Sequence, residues 1–298
     1  MYQFNTADKL LEICNTYDFT IGEVMLRREL ERNTQTDREA VIAELGNRWI
    51  VLKESVYDGL GKDVKSVGLM VGGIAKKLNA RIETEFPFLN SRLSAKAMCY
   101  AISTNENNAC MGKILAFPTA GAAGVIPGLF TAFSEEFDYS DHDFAMAMLC
   151  ASAIGLIIAE HASLAGAGGG CQAEIGSAVA MGAAAITQLR GGTPKQCVEA
   201  ATLGLKNTLG LVCDPIGGMV EVPCVKRNGM FATFAISASD LAMCGIESFV
   251  PFDQVVDAAK KIGDAMPAAH KETALGGLAQ TKIGRAHTRK LGIEITGI

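Results

Sequence analysis

Three cysteines lie in segments where glycine and proline interrupt the helical pattern. Cys171 follows three consecutive glycines (168–170), Cys213 precedes Asp-Pro, and Cys224 follows Val-Pro. Glycine lets a backbone approach a bound group closely, and N–H groups free of a helix can donate to sulfur. Three thiolates could bind three irons of a [4Fe–4S] cluster and leave the fourth open as a Lewis acid. The alternative role is packing, because a cysteine in a cytosolic enzyme is usually a small buried hydrophobe.

Other uses of these motifs have less support. A phosphate-binding glycine loop needs a preceding strand and G-x-G-x-x-G spacing, whereas the residues before the glycine run have a helical pattern. The chain has no C-x-x-C motif, which disfavours a zinc ribbon or a thioredoxin-like site. A pyridoxal site stays open, although neither Lys113 nor Lys271 has a distinguishing context. Cys110 is ambiguous, and we assign to packing the cysteines in apolar helical contexts: Cys14, Cys99, Cys150, Cys197 and Cys244.

His161 follows a long apolar helical pattern. Its imidazole could act as a general base near neutral pH. A protonated histidine at a helix C-terminus also interacts favourably with the helix dipole, and we favour that second role.

The surrounding elements are predicted to be helices. Apolar residues recur at spacings of three and four, and helix-start signals punctuate them. Those signals lie at Thr20, Thr36, Ser94, Thr193 and Asp253. The only fair strand candidate is 219–225. We therefore predict an all-α protein that forms one domain over residues 1–298.

Five irregular segments rich in glycine, proline or asparagine separate the predicted helices. They are 65–73, 105–128, 161–174, 209–224 and 270–277. Loops of this kind carry sites more often than the helices they connect, so we expect these segments to converge on one site.

The composition limits the class of protein. Of 298 residues, 49% are hydrophobic and 20% charged, so the chain can bury a large core. The net charge of -5 argues against a nucleic-acid or anionic-membrane partner. No signal peptide is visible, and the uncharged run 144–159 is shorter than a membrane span of about 20 residues, so we predict a buried helix. The odd count of nine cysteines indicates a reducing, cytoplasmic location.

Long motifs in register resemble the iron–sulfur-dependent L-serine dehydratases. The resemblance rests on the motifs GCQAEIGSA (170–178) and LGLVCDPIGGMVEVPCVKRN (209–228), and segments near both ends of the chain support it. The resemblance is to the α subunit, or to the catalytic half of single-chain members. It implies a helical domain with a [4Fe–4S] cluster held by Cys171, Cys213 and Cys224. It also implies β-elimination of water from L-serine, giving pyruvate and ammonia.

The resemblance does not identify the base that removes the α-proton. The candidates are His161, Thr119, Ser66 or a group from a partner chain. Candidates for substrate contact, each of which could instead cap a helix or face water, are Asn105, Gly121, Ser163 and Lys271. Single-chain members carry a Ser-Ser-Ser-His stretch that this chain lacks, so the resemblance implies a separate β subunit.

Several loop positions depart from the family pattern. Ala123 stands where a cysteine is common, and Gly68 and Leu69 replace Ser-Gly in the first loop. Ala165 and Gly168 replace a serine and a glutamate before Cys171. Because a pocket that loses hydrogen-bonding groups can change its preferred substrate, L-threonine or desulfhydration of L-cysteine stays possible. A non-catalytic iron–sulfur subunit is a further alternative.

Overall fold

The computed structural model describes residues 1–61, 65–84 and 88–295. Across these residues the chain folds into helices, with one isolated parallel bridge between Cys213 and Lys271 and no strand. The prediction of an all-α domain is confirmed. The α-helices are α1 Ala7–Tyr17, α2 Ile21–Arg32, α3 Arg38–Gly61, α4 Ile74–Ile82, α5 Arg92–Ala109, α6 Val125–Glu136, α7 Asp141–His161, α8 Gly166–Gly169, α9 Ser177–Leu189, α10 Pro194–Lys206, α11 Cys224–Met243, α12 Phe252–Ala265 and α13 Lys282–Lys290.

Two predicted helix starts are confirmed by their caps. The Thr20 side chain accepts a hydrogen bond from the Glu23 backbone N–H. Thr193 forms a capping box with Gln196, and Pro194 occupies the first position of α10. These contacts satisfy N–H groups that a helix N-terminus leaves without partners.

The other predicted starts are displaced by a few residues. α3 begins after Asp37, whose carboxylate accepts from the Ala40 N–H, rather than after Thr36. α5 begins after Ser91, and Ser94 lies in its first turn. Each displaced signal lies near a second residue of similar capping ability, and the sequence pattern does not choose between them.

Asp253 caps a helix other than its own. It lies in the first turn of α12, yet its carboxylate accepts from the backbone N–H groups of Ala7 at 2.8 Å and Asp8 at 3.3 Å. The side chain therefore ties the N-terminus of α1 to α12.

The strand candidate at 219–225 is wrong. This segment forms turns, and Cys224 begins α11. Pro223 has no N–H to contribute to a strand ladder, and the Glu221 carboxylate is buried where it binds backbone N–H groups of the 65–73 segment. Glu221 and Cys224 are both buried, but they lie three residues apart, so the segment does not keep the two-residue period of a strand.

α7 is a core helix. By length and composition it could cross a membrane, but 67% of its apolar window is buried inside the fold. Phe144 near its start stacks on Trp49 of α3, with ring centroids 4.6 Å apart. The prediction of a buried helix at 144–159 is confirmed.

Candidate metal centre

The five irregular segments meet at one place in the fold. Glu221 in the fourth segment binds the first through Gly68, and Asn228 binds the second through Gly121. The third segment contacts the fourth, where the Gln172 N–H donates to the Leu211 carbonyl. The fifth pairs with the fourth around Cys213. Loops far apart in sequence therefore surround a common centre.

The three predicted cysteine ligands come from two of these segments, because Cys213 and Cys224 both lie in 209–224. Cys171 precedes a π-helical turn, Gln172–Gly176, and Cys224 is the first residue of α11. Cys213 lies in extended backbone, where its N–H donates to the His270 carbonyl and its carbonyl accepts from the Glu272 N–H. All three thiols are free and buried. Each is therefore fixed by its own backbone element.

The three thiols lie within electrostatic reach of one another. Burial raises the pKa of Cys213, and the neighbouring Cys171 raises it further. Burial and Cys171 together raise the pKa of Cys224 to about 12. Burial also raises the pKa of Cys171, while Arg227 opposes this rise through its charge and a hydrogen bond. A group that binds three thiolates here must supply positive charge, because charged sulfur is otherwise unfavourable in this environment.

The chemistry of the centre fits an iron–sulfur cluster. Thiolates are the usual ligands of such clusters. No three His, Cys, Asp or Glu side chains in the described ranges form a group that could hold a metal ion, whereas a cluster spreads its ligands over separate irons. Gly166 adds a close approach, because a Cβ at that position would lie 2.9 Å from Cys213 Sγ. The three glycines singled out in the sequence, 168–170, do not make this contact, because added Cβ atoms there would meet Ser163, Ala173 and Met266.

Arg227 is a cation built into the centre. It lies one turn after Cys224 on α11, and its guanidinium donates to the Val212 carbonyl at 3.0 Å. It also lies 3.7 Å from Asp214 Oδ1 and interacts with Cys171. Because it is held by both flanks of Cys213, Arg227 can offset negative charge on the sulfurs without moving.

Glu174 is a buried acid beside the three cysteines. Thr119 Oγ1 donates to Glu174 Oε1 at 2.6 Å, and burial raises the pKa of the Glu174 carboxyl. A Cβ on Gly121 would lie 2.5 Å from Oε1, so only glycine leaves room for this carboxyl. The other oxygen, Oε2, faces the Gly166 side of the centre. Two predicted site residues, Thr119 and Gly121, thus surround Glu174.

Local backbone geometry also marks the centre. The residues after Cys171 form a π-helical turn, a feature that recurs at functional sites. Glu272 has φ 65°, in the left-handed region that non-glycine residues rarely adopt. Its carboxylate interacts electrostatically with both Cys213 and Glu174.

Asn105 lies beside the second loop. Its Nδ2 donates to the Gly121 carbonyl at 3.2 Å, while its buried Oδ1 has no hydrogen-bond partner in the described part of the chain. Asn228 donates to the same carbonyl and to that of Cys224. The amide of Asn105 therefore lies next to the loop that surrounds Glu174, with one acceptor still available.

Ser66 organises the first loop. Its hydroxyl donates to Glu221 Oε2 at 2.5 Å, and Glu221 also accepts from the N–H groups of Gly68 and Met70. The His287 ring nitrogen lies 2.7 Å from the Gly68 carbonyl oxygen. The Ser66 hydroxyl therefore joins the first loop to Glu221.

The remaining candidates lie in different surroundings. The exposed His161 ends α7, and its Nε2 lies 2.7 Å from the Asn5 carbonyl oxygen. The Ser163 hydroxyl accepts from the Ala165 N–H. Lys271 adjoins Cys213 through the backbone bridge. The structure thus brings Lys271 to the cysteines and ties His161 to the N-terminal segment.

Sequence reasoning did not single out Glu174, Glu272 or Arg227. Glu174 belongs to the quoted GCQAEIGSA motif, but an acid in the first turn of a helix is ordinarily explained by the dipole. Arg227 lies in the CVKRN motif, where a surface role is equally consistent with the pattern. Glu174 lies three residues after Cys171, and Arg227 lies three residues after Cys224. This spacing was the available signal for these two residues.

Known proteins are similar to this chain over most of its length. The family model described as serine dehydratase alpha chain matches residues 16–279. A probable L-serine dehydratase α chain of Bacillus subtilis (strain 168) is 44% identical over 97% of this chain and 95% of that protein. The L-serine dehydratase α chain of Peptoniphilus asaccharolyticus is 40% identical over 94% and 96%. An L-serine dehydratase of Streptomyces coelicolor is 36% identical over 93% of this chain, which spans 61% of that longer protein.

The fold and site define a class of all-α protein with three buried thiols and a buried acid at the meeting point of its loops. Within that class, the chain belongs to the serine dehydratase α-chain family. The names of its relatives indicate a lyase of amino-acid catabolism.

Proposed function

We propose that the chain is the catalytic α subunit of an iron–sulfur-dependent L-serine dehydratase. The observation that carries this proposal is the convergence of three buried thiols, from Cys171, Cys213 and Cys224, beside Arg227 and Glu174. The overall reaction converts L-serine to pyruvate and ammonia. A bound [4Fe–4S] cluster with three protein ligands would supply Lewis-acid chemistry, which stabilises developing negative charge on a leaving oxygen.

Within this proposal, Glu174 removes the α-proton of the substrate. Its raised pKa brings the carboxyl closer to neutral pH, where proton transfer in both directions is efficient. Thr119 holds Oε1, so Oε2 is the oxygen that takes the proton. Loss of hydroxide from the β-carbon gives an enamine, which tautomerises to an imine and is hydrolysed to pyruvate and ammonia.

Neighbouring residues shape the space for a small substrate. Asn105 offers an unused acceptor beside the 119–124 loop. Gly121 and Gly166 leave room next to Glu174 and Cys213. We propose that these positions, with Lys271 adjoining Cys213, contact the substrate.

A separate β subunit is the proposed partner. Two relatives are named as α chains, and the chain spans 61% of the Streptomyces coelicolor enzyme. The free, buried thiols require a reducing environment, which supports a cytoplasmic location.

The decisive experiment combines iron content with electron paramagnetic resonance. The chain is reconstituted anaerobically, with a β subunit if one is identified, then reduced and measured before and after addition of L-serine. We expect a cluster signal whose shape changes with L-serine, together with pyruvate formation. A cluster signal that responds only to L-threonine or L-cysteine would assign that amino acid as the substrate in place of L-serine. A cluster signal that responds to none of the three would favour a non-catalytic subunit.

A matched pair of variants tests the ligand assignment. Cys213→Ala should lose iron and activity, whereas Cys197→Ala should keep both, because the buried Cys197 lies in α10. Full iron content in Cys213→Ala would contradict the proposed ligands.

A further inference from the structure

One short helix separates two environments. Gly166 and Gly168 lie on α8, where each residue turns about 100°, so the two face about 200° apart. A Cβ on Gly166 would lie 2.9 Å from Cys213 Sγ, whereas one on Gly168 would lie 2.5 Å from Ser163 Oγ. The first face of α8 therefore meets the cysteines, and the second is directed away from them.

A cavity of about 220 Å³ lies behind that second face. Its walls are mainly apolar, with contributions from Ile158 of α7, Leu205 of α10 and Ala173 of the π-helical turn. The close packing of α12 against α8 shapes it, because a Cβ on Gly263 would lie 3.0 Å from Gly169 Cα. The volume is several times the roughly 30 Å³ that one water occupies, so it suits a small organic molecule.

Ser177 gives the cavity an unused polar group. This residue lines the cavity and is fully buried, and its hydroxyl has no hydrogen-bond partner within the described ranges. A buried hydroxyl without a partner is unfavourable, because it has lost its hydrogen bonds to water. A ligand with some polar character is therefore favoured here over a purely apolar one.

Lys260 and Asp264 place opposite charges on the cavity lining. They lie one turn apart on α12 with their charged atoms 2.5 Å from each other, and both side chains are about half exposed. Such an exposed pair contributes little to stability. The two groups can exchange partners at small cost, with the ammonium binding a carboxylate and the carboxylate binding an ammonium.

We propose that this cavity binds a small zwitterionic α-amino acid. Lys260 binds its carboxylate and Asp264 binds its ammonium group, while a short side chain enters the apolar interior toward Ser177. The site is separate from the cysteine centre, and it does not rest on the proposed function. Its ligand would contact Ala173, the residue next to Glu174.

The test uses L-alanine, which has no β-leaving group and is not turned over. Isothermal titration of the whole chain, with and without anaerobic reconstitution of the cluster, should show saturable binding of one equivalent in both preparations. Lys260→Gln and Asp264→Asn should each weaken the affinity by about tenfold or more, because charge-assisted hydrogen bonds are the strong ones. The control Lys9→Gln disrupts the similarly exposed Lys9–Glu12 pair of α1 and should leave the affinity unchanged.

A modified ligand sharpens the test. L-Alaninamide lacks the carboxylate, so it should bind more weakly than L-alanine to the wild type, and Lys260→Gln should no longer distinguish the two. Absence of saturable L-alanine binding would overturn the proposal. Equal affinities in wild type, Lys260→Gln and Asp264→Asn would also overturn it. Binding that is lost in Cys213→Ala but unchanged in Lys260→Gln and Asp264→Asn would place L-alanine at the cysteine centre instead.

Discussion

At the scale of single residues, the site depends on glycines that admit a buried acid and a buried thiol. Gly121 leaves space for the Glu174 carboxyl, and Gly166 leaves space for the Cys213 sulfur. A glycine costs backbone entropy on folding, so its presence at both contacts indicates that close approach is what matters there. The tight contact with a cysteine comes from Gly166, which precedes the run of three glycines at 168–170.

Glu174→Gln tests the proton-transfer role. The amide preserves shape and can still accept from Thr119, but it cannot take a proton, so kcat should fall by about 10²–10⁴-fold. Iron content and fold should be retained, as measured by metal analysis and circular dichroism. Glu12→Gln, at an exposed position of α1, is the control. Full activity in Glu174→Gln would assign the base elsewhere.

Leu69→Gly tests backbone strain in the first loop. Leu69 has φ 57° and is 54% exposed, so its side chain gains little from burial while its backbone lies in the left-handed region. Relief of that strain, offset in part by the backbone entropy that glycine loses on folding, should raise the free energy of unfolding by about 0.5–1 kcal/mol, measured by chemical denaturation. Leu69→Ala keeps the strain and should give no such gain. Equal stabilities of the two variants would argue against strain at this position.

At the scale of elements, local pattern predicted the helices better than their connections. The spacing of apolar residues was sufficient for an all-α fold, and Thr20 and Thr193 marked two helix starts correctly. The pairing of Asp253 with Ala7 joins residues 246 apart. No local signal encodes such a partner, because the same aspartate is equally suited to cap its own helix.

Prediction of the site from sequence has the same limit, because local pattern does not encode partners that are distant along the chain. The three cysteines were identified because glycine and proline beside them interrupt the helical pattern. Glu174 was missed because its position depends on a π-helical turn, which the sequence pattern does not reveal. Glu221 at 219–225 was misjudged because its partners, Ser66 and Gly68, lie about half the chain away.

Glu135 at the end of α6 should make stability sensitive to acid. Burial alone would raise the pKa of this carboxyl, but hydrogen bonds from Lys96, Tyr100 and Tyr57 lower it below 4.5. Because the folded-state pKa is the lower one, this stabilisation is present at neutral pH and is lost as the pH falls below 4.5 through the folded-state value.

Replacing that carboxylate should remove the acid-sensitive contribution. Glu135→Gln is expected to reduce the free energy of unfolding at pH 7 by about 1–2 kcal/mol. The difference in the free energy of unfolding between Glu135→Gln and wild type should shrink as the pH falls toward 3. Denaturant titration at each pH measures this difference. Glu44→Gln, in an exposed pair with Arg48, is the control and should differ little from wild type. A difference that is independent of pH would contradict the assignment.

At the scale of the whole molecule, the cluster proposal links metal binding to folding. Cys171, Cys213 and Cys224 come together only in the folded chain, so a group bound by all three stabilises the native state by mass action. A free ligand concentration of 100 times the dissociation constant contributes about 2.7 kcal/mol, which corresponds to a rise in Tm of roughly 4 °C for a chain of this size. Anaerobic calorimetry should therefore show a higher Tm for reconstituted than for iron-free protein. Cys213→Ser should abolish this difference and Cys197→Ser should retain it, while equal Tm values for wild type with and without iron would argue against a cluster bound by these three cysteines.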